Sequence, residues 1–193
     1  MRKLGIFNIA NLLSFSRILL SVPLVISMMN LNEGSSLSDL YIFLFICLLI
    51  AVTDVLDGYF ARKFDVVTEL GKILDPVADK ICSLILILFL SSKFSEFYNL
   101  FLSLILRDIL ISVATIYFIK ADNKYFQANA LGKWFLFFLA MTMLLFSASI
   151  VKAAQFSYIN EIKSFFYTVT WVFFVLSTYD YFSGYIKHYK RMF

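Results

Sequence analysis

The chain has 193 residues, of which 61% are hydrophobic and only 16% are charged. A soluble domain is nearer half apolar and a quarter charged, so one core of this length cannot hide the excess and a lipid bilayer is the natural solvent. The net charge is +4, but the cations stand in short clusters between long apolar runs. This pattern excludes a basic face for nucleic acid and favours a membrane surface as the partner.

Six apolar segments are each long enough to cross a bilayer, which takes roughly 20 helical residues. In chain order they cover about residues 9–29, 38–60, 74–92, 98–119, 130–151 and 161–186. No linker rich in glycine or serine interrupts them, so residues 1–193 are expected to form a single membrane domain. The predicted fold is an all-α integral membrane protein, a bundle of six transmembrane helices.

The distribution of lysine and arginine predicts the orientation, because cytoplasmic loops carry an excess of these residues. One side of the predicted bundle carries only Lys93, Lys152 and Lys163. The opposite side carries ten cations, namely Arg2, Lys3, Arg62, Lys63, Lys72, Lys120, Lys124, Lys187, Lys190 and Arg191. Both termini are therefore expected in the cytoplasm, in agreement with an even number of spans, and the inner membrane is the expected location.

Two pairs of carboxylates interrupt the apolar pattern. Asp54 and Asp57 end the second span, and Asp75 and Asp79 begin the third. On helices each pair shares one face, and a short loop allows the two pairs to face each other. Four adjacent carboxylates repel each other unless a divalent cation binds them, and two metal ions about 4 Å apart recur in phosphoryl displacement. The pattern predicts a site for Mg²⁺ or Mn²⁺, with two ions expected.

Small and basic residues accompany these carboxylates. Gly58 and Ala61 follow the first pair, and Gly71 precedes the second. They leave space beside the carboxylates for a bulky group such as a nucleotide. Arg62 offers planar donors that suit phosphate or carboxylate.

Two other interpretations of the carboxylates are open. Carboxylates near helix ends are often only solvated, but ionisable groups at membrane depth are costly and usually functional. A cation or proton transporter is the alternative from a different class of protein. Its sites usually lie near the bilayer midplane, whereas these carboxylates are predicted at the cytoplasmic face.

Residues 54–79 read Asp54-x-x-Asp57-Gly58-x-x-Ala61-Arg62, then eight residues, then Gly71-x-x-x-Asp75-x-x-x-Asp79. In residue types and spacing this segment resembles the signature of the CDP-alcohol phosphatidyltransferases. The resemblance covers essentially the whole chain and implies a CDP-diacylglycerol donor, an alcohol acceptor and a homodimer. It implies that Asp54, Asp57 and Asp75 bind metal. Asp79 would be the general base and a further metal ligand. The same resemblance assigns the nucleotide site to Gly58, Ala61, Arg62 and Gly71.

Further segments are similar to the phosphatidylglycerophosphate synthases within this family, whose acceptor is glycerol 3-phosphate. They comprise residues 8–17 and 70–80, Arg107-Asp108 and Leu131-Gly132-Lys133. The cations Arg17, Arg107 and Lys133 are accordingly expected to bind an anionic acceptor or a lipid phosphate. The plainer interpretation is that these side chains extend towards the lipid headgroups.

The chain also departs from that group. Thr115 stands where a second arginine is usual, and Phe135, Leu136 and Leu139 stand where a Lys-Thr pair and a glutamine are usual. The loss of these polar groups weakens the case for a small phosphorylated acceptor. A cardiolipin synthase, whose acceptor is phosphatidylglycerol, is therefore the alternative within the family.

Overall fold

The computed structural model describes residues 9–63, 69–122, 130–155 and 158–192, with side chains over 15–56, 80–114, 117, 130–155 and 158–187. Over these ranges the chain is mostly helical and contains no strand. The helices are α1 (Ile9–Asn30), α2 (Leu37–Lys63), α3 (Glu69–Lys93), α4 (Ser95–Asp122), α5 (Ala130–Ile150) and α6 (Ile159–Met192). A single 3-10 turn at Lys152–Ala154 precedes α6. The all-α fold with six helices, predicted from the apolar segments, is confirmed.

Three of these helices contain a stretch that is long and apolar enough to cross a membrane. The stretches are Leu37–Leu56, Ser95–Ala114 and Ala130–Ile150, and α1 adds a shorter apolar stretch, Phe15–Asn30. Among the residues described, α3 and α6 do not reach this threshold. The helix α6 is rich in tyrosine, serine and threonine and also carries charged side chains, which lower its mean hydropathy. An integral membrane protein is supported, while six complete spans and cytoplasmic termini stay predictions.

The chain divides into two compact units. The first comprises Met1–Phe89 with Ile150–Gln155, and the second comprises Leu90–Ser149 with Phe156–Phe193. In the first unit α1 packs along α2. Both helices bury apolar side chains, among them Leu24 and Met28 of α1 and Leu40 and Phe43 of α2. This packing fixes the relative position of α1 and α2.

The start of α2 has a clear local cause. The Ser36 amide donates to the Asp39 carboxylate over 2.9 Å, and the Ser36 hydroxyl accepts from the Asp39 amide over 3.4 Å. This reciprocal arrangement is a capping box, which satisfies two backbone donors that a helix end leaves unpaired. It ends the α1–α2 connection and sets the first residue of the second helix.

The α1–α2 connection also contacts the segment that precedes α6. The ammonium of Lys152 lies 2.8 Å from the Glu33 carboxylate, and the Lys152 amide donates to the Glu33 carbonyl over 3.4 Å. The hydrogen bond and the attraction between the charges lower the pKa of Glu33 and raise the pKa of Lys152.

In the second unit the described helices are joined through aromatic and hydroxyl groups. The rings of Phe97 and Phe146 lie 4.7 Å apart, and the Tyr167 hydroxyl donates to the Glu96 carbonyl over 3.0 Å. The buried hydroxyls of Thr142 in α5 and Thr170 in α6 are 2.8 Å apart. Hydrogen bonds between helices satisfy polar groups that lipid cannot satisfy.

Candidate active site

The two predicted carboxylate pairs lie on two consecutive helices. Asp54 and Asp57 lie in the C-terminal part of α2, and Asp75 and Asp79 lie in the N-terminal part of α3. The helical backbone agrees with the spacings of three and four residues. Asp54 is the member whose side chain is described. The predicted site residues whose side chains lie outside the described part are Asp57, Gly58, Ala61, Arg62, Gly71, Asp75 and Asp79.

Asp54 is held by an arginine from the preceding helix. Nη1 of Arg17 donates to Oδ1 of Asp54 over 2.7 Å. The Arg17 side chain is 1% exposed, whereas the Asp54 side chain is 52% exposed. A charge-assisted hydrogen bond of this length fixes the position of the carboxylate. Since about half of the carboxylate-bearing side chain remains exposed, it is open to a further ligand.

The same turn of α1 contacts α3. The Cys82 thiol lies 3.7 Å from the carbonyl oxygen of Arg17 and can donate to it. Cys82 is buried and comes three residues after Asp79. Residues three positions apart on a helix are neighbours along its surface. Within the first unit, therefore, Arg17 contacts both helices that carry the predicted carboxylates.

The sequence did not reveal that Arg17 and Asp54 are partners. Each lies in an apolar helix, and no periodic pattern relates residues that are 37 positions apart. A signal was nevertheless present. A lone arginine inside an apolar segment needs a counter-charge. Arg17 lies eight residues after Ile9, the first of α1, and Asp54 lies nine residues before Lys63, the last of α2. Similar depths on consecutive helices narrow the partner to Asp54 or Asp57 without choosing between them.

The second unit contains a buried cation, Arg107 of α4, which is 9% exposed. Its guanidinium carbon lies 4.8 Å from the ring centroid of Phe135, 5.6 Å from that of Phe174 and 5.9 Å from that of Tyr181. Cations within about 6 Å of a ring face are attracted by the ring quadrupole. Among the described residues, Nε of Arg107 is buried without a hydrogen-bond partner. Aromatic rings thus stabilise this charge.

Lys133, the third cation predicted to bind the acceptor, is exposed on the first turn of α5. The structure therefore brings Arg17 together with Asp54 in the first unit and places Arg107 among aromatic rings in the second. Among the described side chains, no three that could bind a metal lie together. The Asp54 carboxylate itself is a half-exposed oxygen ligand, and hard divalent cations prefer such ligands. The one described member of the predicted metal site therefore fits a divalent cation.

Residues 7–176 match the profile of the CDP-alcohol phosphatidyltransferase family. This match includes both carboxylate pairs and most of the helical chain, and the protein belongs to this family. The membership predicted from the signature is confirmed.

Individual relatives carry two different names. The chain is 32% identical over 176 residues to the CDP-diacylglycerol–glycerol-3-phosphate 3-phosphatidyltransferase of Aquifex aeolicus. The aligned region covers 90% of this chain and 93% of that protein. It is 31% identical over 140 residues to the protein of the same name from Mycoplasma genitalium, with coverages of 66% and 59%. A cardiolipin synthase (CMP-forming)/mitochondrial hydrolase fusion protein of Schizosaccharomyces pombe is 35% identical over 113 residues, with coverages of 58% and 18%.

Proposed function

We propose that this protein transfers a phosphatidyl group from CDP-diacylglycerol to glycerol 3-phosphate, giving phosphatidylglycerophosphate and CMP in phospholipid synthesis. The observation that carries the proposal is the similarity to the Aquifex aeolicus protein of that name over nearly the full length of both chains. In the reaction a hydroxyl oxygen of the acceptor attacks the phosphorus that bears the diacylglycerol. A new phosphorus–oxygen bond forms, and the bond to CMP breaks.

Asp54, Asp57, Asp75 and Asp79 would hold two divalent cations, Mg²⁺ or Mn²⁺. A bound cation would neutralise the negative charge of the donor pyrophosphate, which is the usual role of metal in phosphoryl displacement. The half-exposed carboxylate of Asp54 supports this assignment. The ion pair supports a positioning role for Arg17, which holds one oxygen of Asp54 in place. Contact between Arg17 and the acceptor stays a prediction from the sequence.

The remaining assignments follow from the family. Asp79 would take the proton of the attacking hydroxyl, the usual task of a general base. Gly58, Ala61, Arg62 and Gly71 would line the site for cytidine diphosphate. Arg107 and Lys133 would bind the phosphate of the acceptor, and the buried Nε of Arg107 supports a ligand there.

The setting of the reaction is also a proposal. The diacylglycerol tails of the donor stay in lipid while its pyrophosphate lies at headgroup depth. Carboxylates near the ends of apolar helices fit that depth. The excess of lysine and arginine in the loops on that side supports an active site at the cytoplasmic face of the inner membrane. A homodimer is proposed from the family resemblance.

Cardiolipin synthesis is the second candidate function. Two observations favour it: the Schizosaccharomyces pombe relative carries that activity in its name, and Phe135 and Leu139 are buried apolar residues where the sequence comparison expected polar ones. In this case the hydroxyl would belong to phosphatidylglycerol, and the product would be cardiolipin with CMP.

An acceptor screen distinguishes the two functions. Purified protein receives labelled CDP-diacylglycerol with Mg²⁺ and, in separate reactions, glycerol 3-phosphate, phosphatidylglycerol, serine or inositol phosphate. The proposal expects CMP and a labelled lipid phosphomonoester with glycerol 3-phosphate alone. Turnover with phosphatidylglycerol and none with glycerol 3-phosphate would replace it with cardiolipin synthesis. Asp79→Asn serves as the inactive control.

A further inference from the structure

Arg107 is surrounded by rings from two other helices. Phe135 of α5 is 1% exposed, and Phe174 and Tyr181 of α6 lie on the same helix, seven residues apart. Seven residues are close to two helical turns, so the two α6 rings stand on one side of that helix. We call Phe135, Phe174 and Tyr181 the Arg107 cage. All three rings lie within 6 Å of the guanidinium carbon.

Two rings of the cage, Phe135 and Phe174, make further aromatic contacts. Phe135 and Phe174 meet edge to face with centroids 5.7 Å apart, and Trp171 meets Phe174 edge to face at 5.3 Å. Such pairs add stabilisation beyond the burial of their surface. Phe135 and Phe174 are therefore held in place by one contact between α5 and α6 and one contact within α6.

The rings attract the charge of Arg107 but do not give its buried Nε a hydrogen-bond acceptor. A guanidinium carries five N–H donors, and the quadrupole of an aromatic ring attracts the charge without offering a lone pair. Among the described residues, the buried Nε finds no acceptor. A buried unsatisfied donor is costly, so the arrangement is suited to an oxygen-rich anion that completes the site. The planar donors of arginine match phosphate in particular.

We propose that Phe135, Phe174 and Tyr181 are positioning residues that hold the Arg107 guanidinium ready to bind a phosphate group. The phosphate is either the monoester of a water-soluble acceptor or the diester of a lipid headgroup, which share this chemistry. In the first case the inference rests on the proposed function. Phe135, one ring of the cage, stands at a position where the phosphatidylglycerophosphate synthases usually carry a polar side chain. Here this position contributes to the orientation of Arg107 through an aromatic ring.

The test compares two leucine substitutions on α5. Phe135→Leu removes a cage ring and keeps apolar bulk. Phe138→Leu is the matched control, since Phe138 stacks on Phe173 with centroids 4.9 Å apart and does not belong to the cage. Phe135→Leu is expected to raise the KM for glycerol 3-phosphate about tenfold with kcat nearly unchanged, the pattern of lost uniform binding. Phe138→Leu should leave the KM unchanged.

A second pair of variants, at Tyr181, tests the inference independently in case Phe135→Leu does not fold. Tyr181→Leu should also raise the KM, and Tyr181→Phe, which restores a ring without the hydroxyl, should recover most of the loss. A merely structural role would lower thermal stability and the amount of active protein in both leucine variants without moving the KM. If folded Tyr181→Leu matches the wild type in its dependence on both glycerol 3-phosphate and phosphatidylglycerol, the inference is overturned.

Two arms identify the source of the phosphate. In one arm glycerol 3-phosphate is varied at fixed lipid composition. In the other, glycerol 3-phosphate is saturating and phosphatidylglycerol is increased in phosphatidylcholine vesicles. A shift in the first arm assigns the phosphomonoester, and a shift in the second alone assigns the lipid diester. A cage variant that shifts neither dependence more than Phe138→Leu contradicts the inference.

The experiments distinguish failure of the cage inference from failure of the proposed function. If Arg107→Gln raises the KM for glycerol 3-phosphate but the cage variants do not, the cage inference falls and the function stands. If the wild type uses phosphatidylglycerol as its acceptor, the proposed function falls. The cage is then tested with phosphatidylglycerol as the varied substrate, and the same KM shift supports it.

Discussion

Arg17 and Asp54 form an ion pair of 2.7 Å between two helices, and the two side chains differ sharply in exposure, 1% for the arginine and 52% for the aspartate. Water can solvate a half-exposed carboxylate that has lost its partner, whereas a buried guanidinium has no such access. One residue of the predicted metal site is thus also a structural counter-charge for α1.

This asymmetry predicts different costs for the two truncations. Asp54→Ala should lower stability by about 1.5–3 kcal/mol, the range for a lost hydrogen bond to a charged group. Arg17→Met should cost less, because it leaves Asp54 able to contact water. Thermal unfolding in detergent without added metal measures both effects. The double variant should be more stable than the sum of the two losses predicts, and strict additivity would show that the pair is not coupled.

The ion pair of Glu33 and Lys152 is exposed, unlike that of Arg17 and Asp54, and its contribution to stability depends on pH. The pKa of Glu33 lies below its ordinary value of 4.5, and that of Lys152 lies above its ordinary value of 10.5. The contribution of Glu33 is present above pH 4.5 and is lost as the pH falls through its lowered pKa. The contribution of Lys152 is present below pH 10.5 and is lost as the pH rises through its raised pKa.

Melting temperature as a function of pH tests this contrast. The wild type and Lys152→Met should differ by a small, constant amount between pH 5 and pH 10 and converge in acid, because exposed pairs are worth little. A difference that grows towards acid would contradict the sign of the Glu33 shift.

A divalent cation is expected to be essential. Because four carboxylates together need a counter-ion, excess chelator should abolish turnover, and Mg²⁺ or Mn²⁺ should restore it. The assay follows CMP release at increasing free metal concentration. A zinc-specific chelator that spares Mg²⁺ is the control and should have no effect. Full turnover in excess of a general chelator would remove the metal from the proposal.

The sequence predicted the fold well and the packing poorly. The six apolar segments correspond to α1 through α6, but several helices are longer: α6 extends to Met192 where the apolar segment ended at residue 186, and α2 extends to Lys63 where it ended at residue 60. Apolar runs mark the hydrophobic part of a helix, whereas backbone hydrogen bonding continues into its polar ends.

Contacts between helices were beyond the sequence pattern. A helix that is apolar on every side gives little information about which face meets its neighbour. For this reason neither the partner of Arg17 nor the rings around Arg107 could be predicted. The carboxylate pairs could be placed on α2 and α3, since their spacing of three and four residues depends only on helical periodicity.

The predicted roles of Asp75 and Asp79 can be separated by conservative substitution. Asp79→Asn cannot accept a proton and should reduce turnover by roughly 10²–10⁴-fold, the usual contribution of acid–base catalysis, while donor binding stays near normal. Asp75→Asn removes a charged ligand, so raising the metal concentration should recover part of its loss. A metal titration of both variants, with CDP-diacylglycerol binding followed separately, measures this. Rescue of Asp79→Asn by metal, with Asp75→Asn remaining inactive, would reverse the two assignments.

The predicted orientation places residue 65 in the cytoplasm and residue 35 on the opposite side, because they lie in consecutive connections. With Cys47 and Cys82 replaced, Asp65→Cys and Ser35→Cys provide single thiols for an impermeant reagent. In intact cells Ser35→Cys should be labelled and Asp65→Cys should be protected until the membrane is opened. Labelling of both from outside would refute the six-span arrangement.

The most direct test of the central claim is the identity and amount of the products formed from CDP-diacylglycerol and glycerol 3-phosphate by the purified wild-type protein with Mg²⁺. Mass spectrometry and nucleotide analysis should find phosphatidylglycerophosphate and CMP in equal amounts, and both should form roughly 10²–10⁴-fold more slowly with Asp79→Asn. Folded protein that releases no CMP with glycerol 3-phosphate or with any other alcohol would contradict the assignment as a CDP-alcohol phosphatidyltransferase.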